Sequence, residues 1–334
     1  AMTRLRWGIL GTARIAARRV IPAIMRSQTG TVVAVGSRDA ERARQLAARF
    51  GIPRAHDSYE ALLADPEVDA IYIPLPNSLH GPWTIRAAEA GKHVLCEKPL
   101  ALDASSAREM VASCARAGVL LQEAFMYRYH PQIERLQTLV RDGAVGRPWL
   151  VRSAFTFTVR TPEDIRLDAR LGGGGLQDVG CYCVNLSRLL LGEPERVDAA
   201  AVYERGVDVR FAGMLHFPEG AAAQFDCGLR APPRQSCEVI GPEGVISLPR
   251  PFLPEEDPAV LVVRRGGGEE RIEIPGANQY TLMIDHFAEY VRTGRPPRFP
   301  PDDAVARLYV GRCLQHLASA PGAAWDAVET LAEK

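Results

Sequence analysis

The chain has 334 residues, of which 40 are basic and 40 are acidic. This length is sufficient for two domains that each bury a core. The balanced charge argues against a nucleic-acid partner, which normally requires a basic surplus, and without any run of eighteen apolar residues we expect no membrane span.

The first 125 residues alternate compact apolar runs with amphipathic segments. The apolar runs RWGIL, TVVAVG, AIYIPL, HVLCE and VLLQEA predict β-strands. Two intervening segments, DAERARQLAARFG and SSAREMVASCARAG, have a polar residue near the start and a glycine after the end, as helices commonly do. Strands that alternate with helices predict a parallel, doubly wound sheet.

A glycine-containing loop follows the first predicted strand, in the sequence WGILGTARIAARR. Gly11, Ala13 and Ala16 occupy the positions of a degenerate GxGxxG/A fingerprint. Gly11 would permit the tight turn, and the amides of the helix start would receive a pyrophosphate. We therefore expect the loop, Gly11, Thr12, Ala13, Arg14 and Ile15, to bind a dinucleotide; a plain strand-to-helix turn is the alternative.

The end of the second predicted strand indicates which nucleotide binds. An acidic residue at this position would bind the ribose hydroxyls of NAD, whereas the chain has Ser37 and Arg38, which suit a 2′-phosphate. Asp39, at the start of the next predicted helix, is interpreted as its N-cap. We predict that NADP is the preferred cofactor and that NAD is possible. The alternative for Arg38 is a solvated surface charge.

The pattern changes beyond residue 145. PWLVRSAFTFTVR predicts a long strand, and a helix over residues 178–191 follows. RVDAAAVYE, VDVRFAGMLHF, AAAQFDCGLR, SCEVIGPEGVISL, AVLVVRR and ERIEI then predict strands separated by turn residues, which favours a mostly antiparallel sheet. Two further helices are predicted near residues 279–293 and 303–318.

Four motifs between residues 75 and 185 resemble those of a known family. LPNSLH, GKHVLCEKPLAL, EAFMYRYHP and GGGGLQDVGCYCVN occur in the order found in the Gfo/Idh/MocA oxidoreductases. The tyrosine of the last motif and the sequence EAFMYRYHP look like the branch with NADP-linked aldose (xylose) dehydrogenase, glucose-fructose oxidoreductase and dihydrodiol dehydrogenase. The resemblance implies an α/β fold: a Rossmann domain over residues 1–125, then a substrate-binding and oligomerisation α+β domain over 126–334 with an open-faced, mostly antiparallel sheet.

The resemblance also implies which residues bind and react. Lys98 matches the family lysine beside the nicotinamide and the substrate, and Asp178 and Tyr182 match the acidic and proton-transferring positions. Ile165 stands where relatives often have tryptophan. The residues expected to border the cofactor are Pro74, Leu75, Pro76, Asn77, His80, Glu97, Lys98 and Arg166.

The chemistry of these residue types supports the assignment. Of the 40 basic residues, the only lysines are Lys92, Lys98 and Lys334, and an ammonium can donate a proton where a guanidinium stays charged. An unperturbed tyrosine is a poor base at neutral pH, but a nearby ammonium lowers its pKa. We therefore expect Tyr182 to be the acid/base and Lys98 its electrostatic partner. Lys98 as an ordinary surface lysine stays open as an alternative.

Asp178 and Tyr182 are four residues apart in a predicted helix, so their side chains would share one face. Asp178 would orient the substrate or the lysine. The alternatives are that Asp178 caps the helix and that Tyr182 is a core aromatic residue. Arg128 and His130 are candidate substrate contacts; an ion pair for Arg128 and a structural role for His130 are their alternatives.

The leading hypothesis is an NADP-dependent oxidoreductase that transfers a hydride between nicotinamide and a carbon of a sugar or polyol. A keto-sugar or sugar-nucleotide reductase of the same family and a non-catalytic nucleotide-binding regulator are the alternatives. Seven cysteines without regular spacing indicate reduced thiols and no metal site. We expect a cytoplasmic homodimer or homotetramer with a small-molecule substrate and neither a nucleic-acid nor a membrane partner.

Overall fold

The chain forms two compact units. A computed structural model of the protein describes residues 4–319. Its first unit consists of residues 4–129 together with Asn278–Val305, and its second unit consists of His130–Ala277 together with residues 306–319. The sequence-based division after residue 125 lies near the first boundary. It differs from the structure in assigning residues 278–305 to the second domain.

A parallel sheet of six strands is the centre of the first unit. The strands are β1 (Leu5–Leu10), β2 (Gly30–Gly36), β3 (Arg54–His56), β4 (Ala70–Ile73), β5 (His93–Glu97) and β6 (Leu121–Ala124). Their order is β3-β2-β1-β4-β5-β6, and the pairings are parallel. The central strands are apolar and buried, as expected when helices cover both faces of a sheet. The predicted doubly wound sheet is confirmed.

Helices connect these strands. They are α1 (Ile21–Arg26), α2 (Ala40–Phe50), α3 (Tyr59–Leu63), α4 (His80–Glu89) and α5 (Ala104–Ala117), and a later helix, α8 (Gln279–Thr293), belongs to the same unit. Asp39 caps α2, which ends at the left-handed Gly51, and Asp103 caps α5, which ends at the left-handed Gly118. The predicted cap chemistry is confirmed at both ends of α2 and at the glycine end of α5, whereas the N-cap of α5 is Asp103, which precedes the predicted segment.

The strand order reverses at β1 and β4, which lie side by side. Doubly wound sheets bind ligands outside the carboxyl ends of their strands at such a reversal. Residues 11–13 follow β1 and residues 74–77 follow β4. Both predicted cofactor segments therefore border the position where this type of sheet binds a dinucleotide.

Helix α8 joins the first unit through polar and aromatic contacts. The Asp285 carboxylate accepts hydrogen bonds from the hydroxyls of Ser27 (2.5 Å) and Thr29 (2.7 Å). The rings of Trp7 and Phe287 have centroids 4.9 Å apart, and both side chains are fully buried. These contacts join residues more than 250 positions apart, and they explain why this helix belongs to the first unit.

The second unit is built on a sheet of eight strands. They are β7 (Leu150–Thr158), β8 (Arg196–Glu204), β9 (Val207–His216), β10 (Ala222–Gly228), β11 (Arg230–Gly241), β12 (Gly244–Leu248), β13 (Ala259–Arg265) and β14 (Gly268–Ile274). Their order is β14-β13-β12-β11-β7-β10-β9-β8. The pairings are antiparallel except for the parallel pair of β7 and β10, so the predicted mostly antiparallel sheet is confirmed.

Helix α7 (Cys181–Leu191) packs against β7 and β10. Alternate residues of a strand face opposite sides of a sheet, and Val151, Phe155 and Phe225 contribute buried side chains. The other helices of this part of the chain are α6 (Pro131–Arg141) and α9 (Asp302–Ser319), which crosses the boundary between the units. Within residues 4–319, no helix has both the length and the apolar composition required to cross a bilayer.

Candidate active site

The loop after β1 has the backbone geometry of a phosphate-binding turn. Gly11 has a φ of 100°, which favours glycine, and a Cβ at this position would make a tight contact of 3.1 Å with Leu75 Cδ2. Ala16 is fully buried at the position where the fingerprint needs a small residue, and a π-helical turn over Ala16–Val20 continues into α1. Arg14 is exposed. A pyrophosphate fits this helix start, because its amides attract negative charge.

The end of β2 leaves a guanidinium facing solvent. The buried Ser37 accepts a hydrogen bond from the Asp39 amide through its hydroxyl (3.1 Å). The Asp39 carboxylate accepts hydrogen bonds from the amides of Glu41 (3.0 Å) and Arg42 (3.1 Å). The interpretation of Asp39 as an N-cap is thus confirmed. Its carboxylate is engaged by α2, and both Arg38 and Asp39 are exposed at this strand end.

Buried polar side chains hold the turn that carries Lys98. The hydroxyl of Tyr72, on the adjacent strand β4, donates to Glu97 Oε1 (2.7 Å), and the amide of Lys98 donates to Glu97 Oε2 (3.2 Å). Burial raises the pKa of Glu97, and the Lys98 ammonium opposes that shift. The amide of Leu100 donates to Glu123 Oε1 (2.9 Å) from β6. The carboxylates of Glu97 and Glu123 therefore fix the backbone at Lys98 and at Leu100.

His80 links this turn to the loop that follows β4. Its Nδ1 lies 2.8 Å from the carbonyl oxygen of Pro99, and its Nε2 lies 2.8 Å from the carbonyl oxygen of Leu75. The ring is fully buried, and burial lowers the pKa of His80, while the two carbonyl contacts oppose this shift. A neutral imidazole has one N–H and donates to only one of these carbonyls at a time. One imidazole thus bridges two segments predicted to border the cofactor. Pro74 and Leu75 are buried, whereas Pro76 and Asn77 are partly exposed.

In the second unit, Asp208 anchors the glycine run that precedes α7. Its Oδ2 accepts a hydrogen bond from the Leu176 amide (2.6 Å). A Cβ at Gly174, where φ is 122°, would collide with the Asp208 carboxylate, so the close approach requires glycine. A π-helical turn, Leu176–Gly180, follows and leads directly into α7. Such turns are frequent at functional sites. Asp208 therefore sets the start of the helix that carries Tyr182.

Asp178 lies within this π-helical turn and faces an arginine. Its Oδ2 accepts a hydrogen bond from Arg166 Nε (2.8 Å), and the same guanidinium donates to Asp164 Oδ1 (3.2 Å). The Asp178 carboxylate is the main cause of the raised pKa of Arg166. The structure thus brings together two residues that were assigned separately, Arg166 to the cofactor and Asp178 to catalysis.

Tyr182 packs against a stacked pair of phenylalanines. Its ring centroid lies 5.2 Å from that of Phe155 and 5.3 Å from that of Phe252, both in edge-on geometry. Tyr182 is 4% exposed. The ring therefore has a core-like environment, and a phenol in such surroundings is desolvated and held in a defined orientation.

Arg128 and His130 both have structural contacts. Arg128 is 2% exposed, forms an ion pair with Asp303 (2.9 Å) and lies over the ring of Phe299 (4.3 Å). His130 is fully buried and caps α6 by accepting a hydrogen bond from the Gln132 amide (3.2 Å). Burial lowers the pKa of His130 to about 4. These contacts favour the ion-pair and structural alternatives over direct substrate binding.

Three residues that shape the site lie outside the recognised motifs: Tyr72, Asp208 and Phe252. Glu123 begins the motif EAFMYRYHP but was not singled out from the sequence. Tyr72 and Glu123 lie inside apolar strand sequences. A polar side chain in a buried strand needs a hydrogen-bond partner, and this need was the signal that the sequence offered. Asp208 and Phe252 contact the site from strands and loops distant in sequence. Among residues 4–319, no group of three or more potential ligands is positioned to hold a metal ion.

Comparisons with known proteins agree with this arrangement. Residues 5–125 match the family model described as "Oxidoreductase family, NAD-binding Rossmann fold", and residues 133–247 match the "GFO/IDH/MocA C-terminal domain". A D-xylose 1-dehydrogenase (NADP(+)) from Haloferax volcanii is 41% identical over 306 residues, which cover 90% of this chain and 93% of that protein.

Two further relatives are a reductase named for a dTDP-linked sugar and a 3-ketoreductase. The dTDP-3,4-didehydro-2,6-dideoxy-α-D-glucose 3-reductase of Streptomyces violaceoruber is 39% identical over 294 residues, covering 86% of this chain and 85% of that protein. The crystal structure of a 3-ketoreductase from Actinomadura kijaniata with NADP and TDP-benzene superposes with a TM-score of 0.90 at 33% identity, covering 94% of this chain and 98% of that chain.

The parallel sheet, the glycine turn at its strand reversal and these matches define a nicotinamide-dependent oxidoreductase. The chain belongs to the Gfo/Idh/MocA family. The enzyme class, the family and the two-part fold predicted from the sequence are thereby confirmed.

Proposed function

We propose that the protein is an NADP-dependent dehydrogenase of aldoses or related polyols, with Tyr182 as the acid/base. The observation that carries this proposal is the arrangement on one helical segment of a desolvated phenol, Tyr182, and a carboxylate, Asp178, held by Arg166. The relationship to a D-xylose 1-dehydrogenase over most of both chains supports an aldose as the substrate.

The proposed chemistry requires removal of a hydroxyl proton as a hydride leaves the adjacent carbon. When bound, a nicotinamide cofactor supplies the hydride acceptor. Tyr182 takes the hydroxyl proton, and the Lys98 ammonium lowers the pKa of the phenol so that this transfer occurs near neutral pH. Asp178 orients the substrate hydroxyl or the lysine. The anchored turn around Lys98 supports its part, because catalysis requires a charge with a fixed position.

NADP is the proposed cofactor, and NAD is an alternative. Support comes from the exposed Arg38 at the end of β2, where a 2′-phosphate would lie, and from the engagement of the Asp39 carboxylate by α2. An arginine at this position binds a phosphate through charge-assisted hydrogen bonds. Gly11 and the following helix start would hold the pyrophosphate.

A second candidate is a reductase of keto-sugar nucleotides. The relationships to the two 3-ketoreductases favour it. It uses the same Tyr182 and Lys98, but Tyr182 then donates a proton to a carbonyl oxygen. A non-catalytic nucleotide-binding protein is the least supported alternative, because the chain retains both groups.

A substrate screen tests these proposals. The purified enzyme is mixed with aldoses, polyols or a dTDP-linked keto sugar, each with NADP(H) and NAD(H), and the absorbance of the reduced nicotinamide is followed. We expect turnover of an aldose with NADP that is lost in Tyr182→Phe. Turnover of the nucleotide-linked sugar alone would replace the first proposal by the second, and turnover unaffected by Tyr182→Phe would reject tyrosine as the acid/base.

We further propose that the protein works as a homodimer or homotetramer in a reducing compartment such as the cytoplasm. Exposed apolar side chains of the second unit, Trp149, Val202 and Tyr203, support self-association. The seven cysteines are free thiols, which supports the reducing compartment. Light scattering on the purified protein measures its oligomeric state, and a monomeric mass would contradict self-association.

A further inference from the structure

The segment between β12 and β13, residues 249–258, has no regular secondary structure but is held in place by side chains. It carries Phe252, which is fully buried. The Phe252 ring stacks on Phe155 at 5.2 Å with an interplanar angle of 15° and meets Tyr182 edge-on at 5.3 Å. This segment therefore supplies one of the two aromatic contacts of Tyr182.

Two glutamine side chains replace the strand pairing that this segment lacks. Gln235, on β11, accepts hydrogen bonds through Oε1 from the amides of Phe252 (3.0 Å) and Leu253 (2.9 Å), and its Nε2 donates to the Leu253 carbonyl (3.1 Å). Gln132, on α6, donates through Nε2 to the carbonyls of Arg250 (2.9 Å) and Pro251 (3.2 Å). The backbone on either side of the Phe252 ring is thus fixed by two amides.

The two glutamines come from different elements of the second unit. Gln132 is 1% exposed and lies in the first turn of α6. Its backbone amide donates a hydrogen bond to Nδ1 of His130. A buried amide that loses its hydrogen-bond partner destabilises the folded protein. The hydrogen bonds of these glutamine side chains therefore strongly determine the position of the loop backbone. His130, which was singled out for substrate binding, is thereby connected to Tyr182 through Gln132 and Phe252.

We propose that Phe252, clamped by Gln132 and Gln235, is a positioning residue that fixes the orientation of the Tyr182 phenol. Phe155 belongs to the rigid strand β7 and gives the ring one contact. Phe252 gives the second contact and itself stacks on Phe155, so the three rings pack against one another. A reacting group that is misplaced by about 1 Å can lose about 100-fold in rate, so a fixed phenol direction is needed for proton transfer. The kinetic part of this proposal rests on the role of Tyr182 proposed above.

The test compares Phe252→Leu with Phe211→Leu. Phe211 is a matched control, since it is a buried phenylalanine of the same unit that stacks on Phe225 at 6.1 Å. With the substrate found in the screen, we expect Phe252→Leu to lower kcat about 10- to 100-fold, while KM and the Kd for NADP change by less than about threefold. Phe211→Leu should lower the thermal stability by a similar amount and keep kcat within about twofold.

A second readout does not depend on turnover. The enzyme is labelled with 3-fluorotyrosine, and the ¹⁹F resonance of Tyr182 is assigned by its loss in Tyr182→Phe. Gln235→Met removes the three hydrogen bonds that the Gln235 side chain makes to residues 252 and 253. In this variant and in Phe252→Leu, we expect the Tyr182 resonance to shift towards that of a freely rotating ring. In Phe211→Leu it should stay in place.

The outcomes are distinguishable. An unchanged Tyr182 resonance in both Phe252→Leu and Gln235→Met, or equal kcat losses in Phe252→Leu and Phe211→Leu, would overturn the positioning role. If Phe252→Leu fails to fold, the resonance of Gln235→Met decides. If Tyr182→Phe retains full turnover, the acid/base proposal fails, while the fluorine resonances still decide whether Phe252 orients the ring.

Discussion

Asp178 Oδ2 and Arg166 Nε lie 2.8 Å apart, and this ion pair lies in the first turn of the helical segment that carries Tyr182. Asp164 receives a second hydrogen bond from the same guanidinium. A carboxylate that is held by an arginine stays ionised and keeps one direction. Arg166 therefore holds the Asp178 carboxylate in position, and this holds whether Asp178 orients the substrate or the lysine.

Replacing Arg166 tests this relationship. Arg166→Leu should lower kcat/KM about 10-fold, because a charge-assisted hydrogen bond contributes about 1.5–3 kcal/mol and the 42% exposed guanidinium retains the weaker end of that range. Steady-state kinetics with the screened substrate measures the effect. Arg170→Leu is the control, since the Arg170–Asp168 pair has the same 2.8 Å distance but the arginine is 89% exposed. Equal losses in the two variants would contradict the prediction.

The two lysines within residues 4–319 allow a matched comparison. Lys98→Met should remove most of the turnover and leave the Kd for NADP within several-fold, because the ammonium acts on the phenol rather than on the phosphates. Lys92 is buried, and its Nζ donates to the carbonyls of Asp65 (2.8 Å) and Val68 (2.7 Å).

Lys92→Met should therefore lower the stability by about 1–3 kcal/mol, because two buried carbonyls lose a donor, and it should keep turnover. Urea unfolding and initial rates on both variants make the comparison. Full turnover in Lys98→Met would remove Lys98 from the mechanism.

Arg38 is expected to determine the choice between the two nicotinamide cofactors. Arg38→Ala should weaken the binding of NADP about 10- to 100-fold, because the 2′-phosphate loses a charge-assisted partner, and it should leave NAD binding within about twofold. Calorimetric titration with each cofactor measures both constants. Arg42→Ala, an exposed arginine on the next helix, is the control and should change neither. A parallel loss of both cofactors in Arg38→Ala would refute the assignment.

Local signals in the sequence predicted much of the fold. The cap residue Asp39 and the glycines that end α2 and α5 act within a few positions of each other, so they can be recognised without a structure. The contacts that the sequence could not predict are distant along the chain. Asp285 binds residues 256 and 258 positions away, and this explains how α8 packs in the first unit although the sequence-based division placed it after residue 126.

The same distinction applies to the site. Lys98, Asp178 and Tyr182 lie in short contiguous motifs that can be recognised from the sequence alone. Phe252 reaches Tyr182 through a loop with no motif, and its position depends on Gln132 and Gln235, which are 118 and 18 residues away from the backbone groups that they bind. Side chains that position other side chains are recognised from their contacts in the folded structure, because their spacing in the sequence follows no local pattern.

His80 should be needed for a rigid Lys98 turn. His80→Phe removes the link between the carbonyls of Leu75 and Pro99, and we expect kcat/KM to fall about 10-fold or more as the lysine loses its fixed position. His93→Phe is the control at the opposite end of β5, where the ring accepts a hydrogen bond from the Leu120 amide (2.9 Å). That variant should lose stability and keep its rate. Equal rates in wild type and His80→Phe would show that the link is dispensable.

Asp208 should make the stability depend on pH between about 4 and 6. Burial raises its pKa to about 6, compared with about 3.9 in an unfolded chain. A raised carboxyl pKa gives a contribution to stability that is complete below about pH 4 and is lost as the pH rises through about 6. For a shift of about two units this loss is at most about 3 kcal/mol.

Asp208→Asn cannot ionise, so its free energy of unfolding should lack this loss, and the wild type should fall relative to it as the pH rises from 4 to 7. Urea unfolding of both proteins across this range measures the difference. Asp226→Asn is the control, because Asp226 is an exposed carboxylate paired with Arg234 on the same sheet, and its curve should run parallel to that of the wild type. A parallel curve for Asp208→Asn would show instead that the amides at the start of the Tyr182 helix keep Asp208 ionised, because helix amides favour the carboxylate.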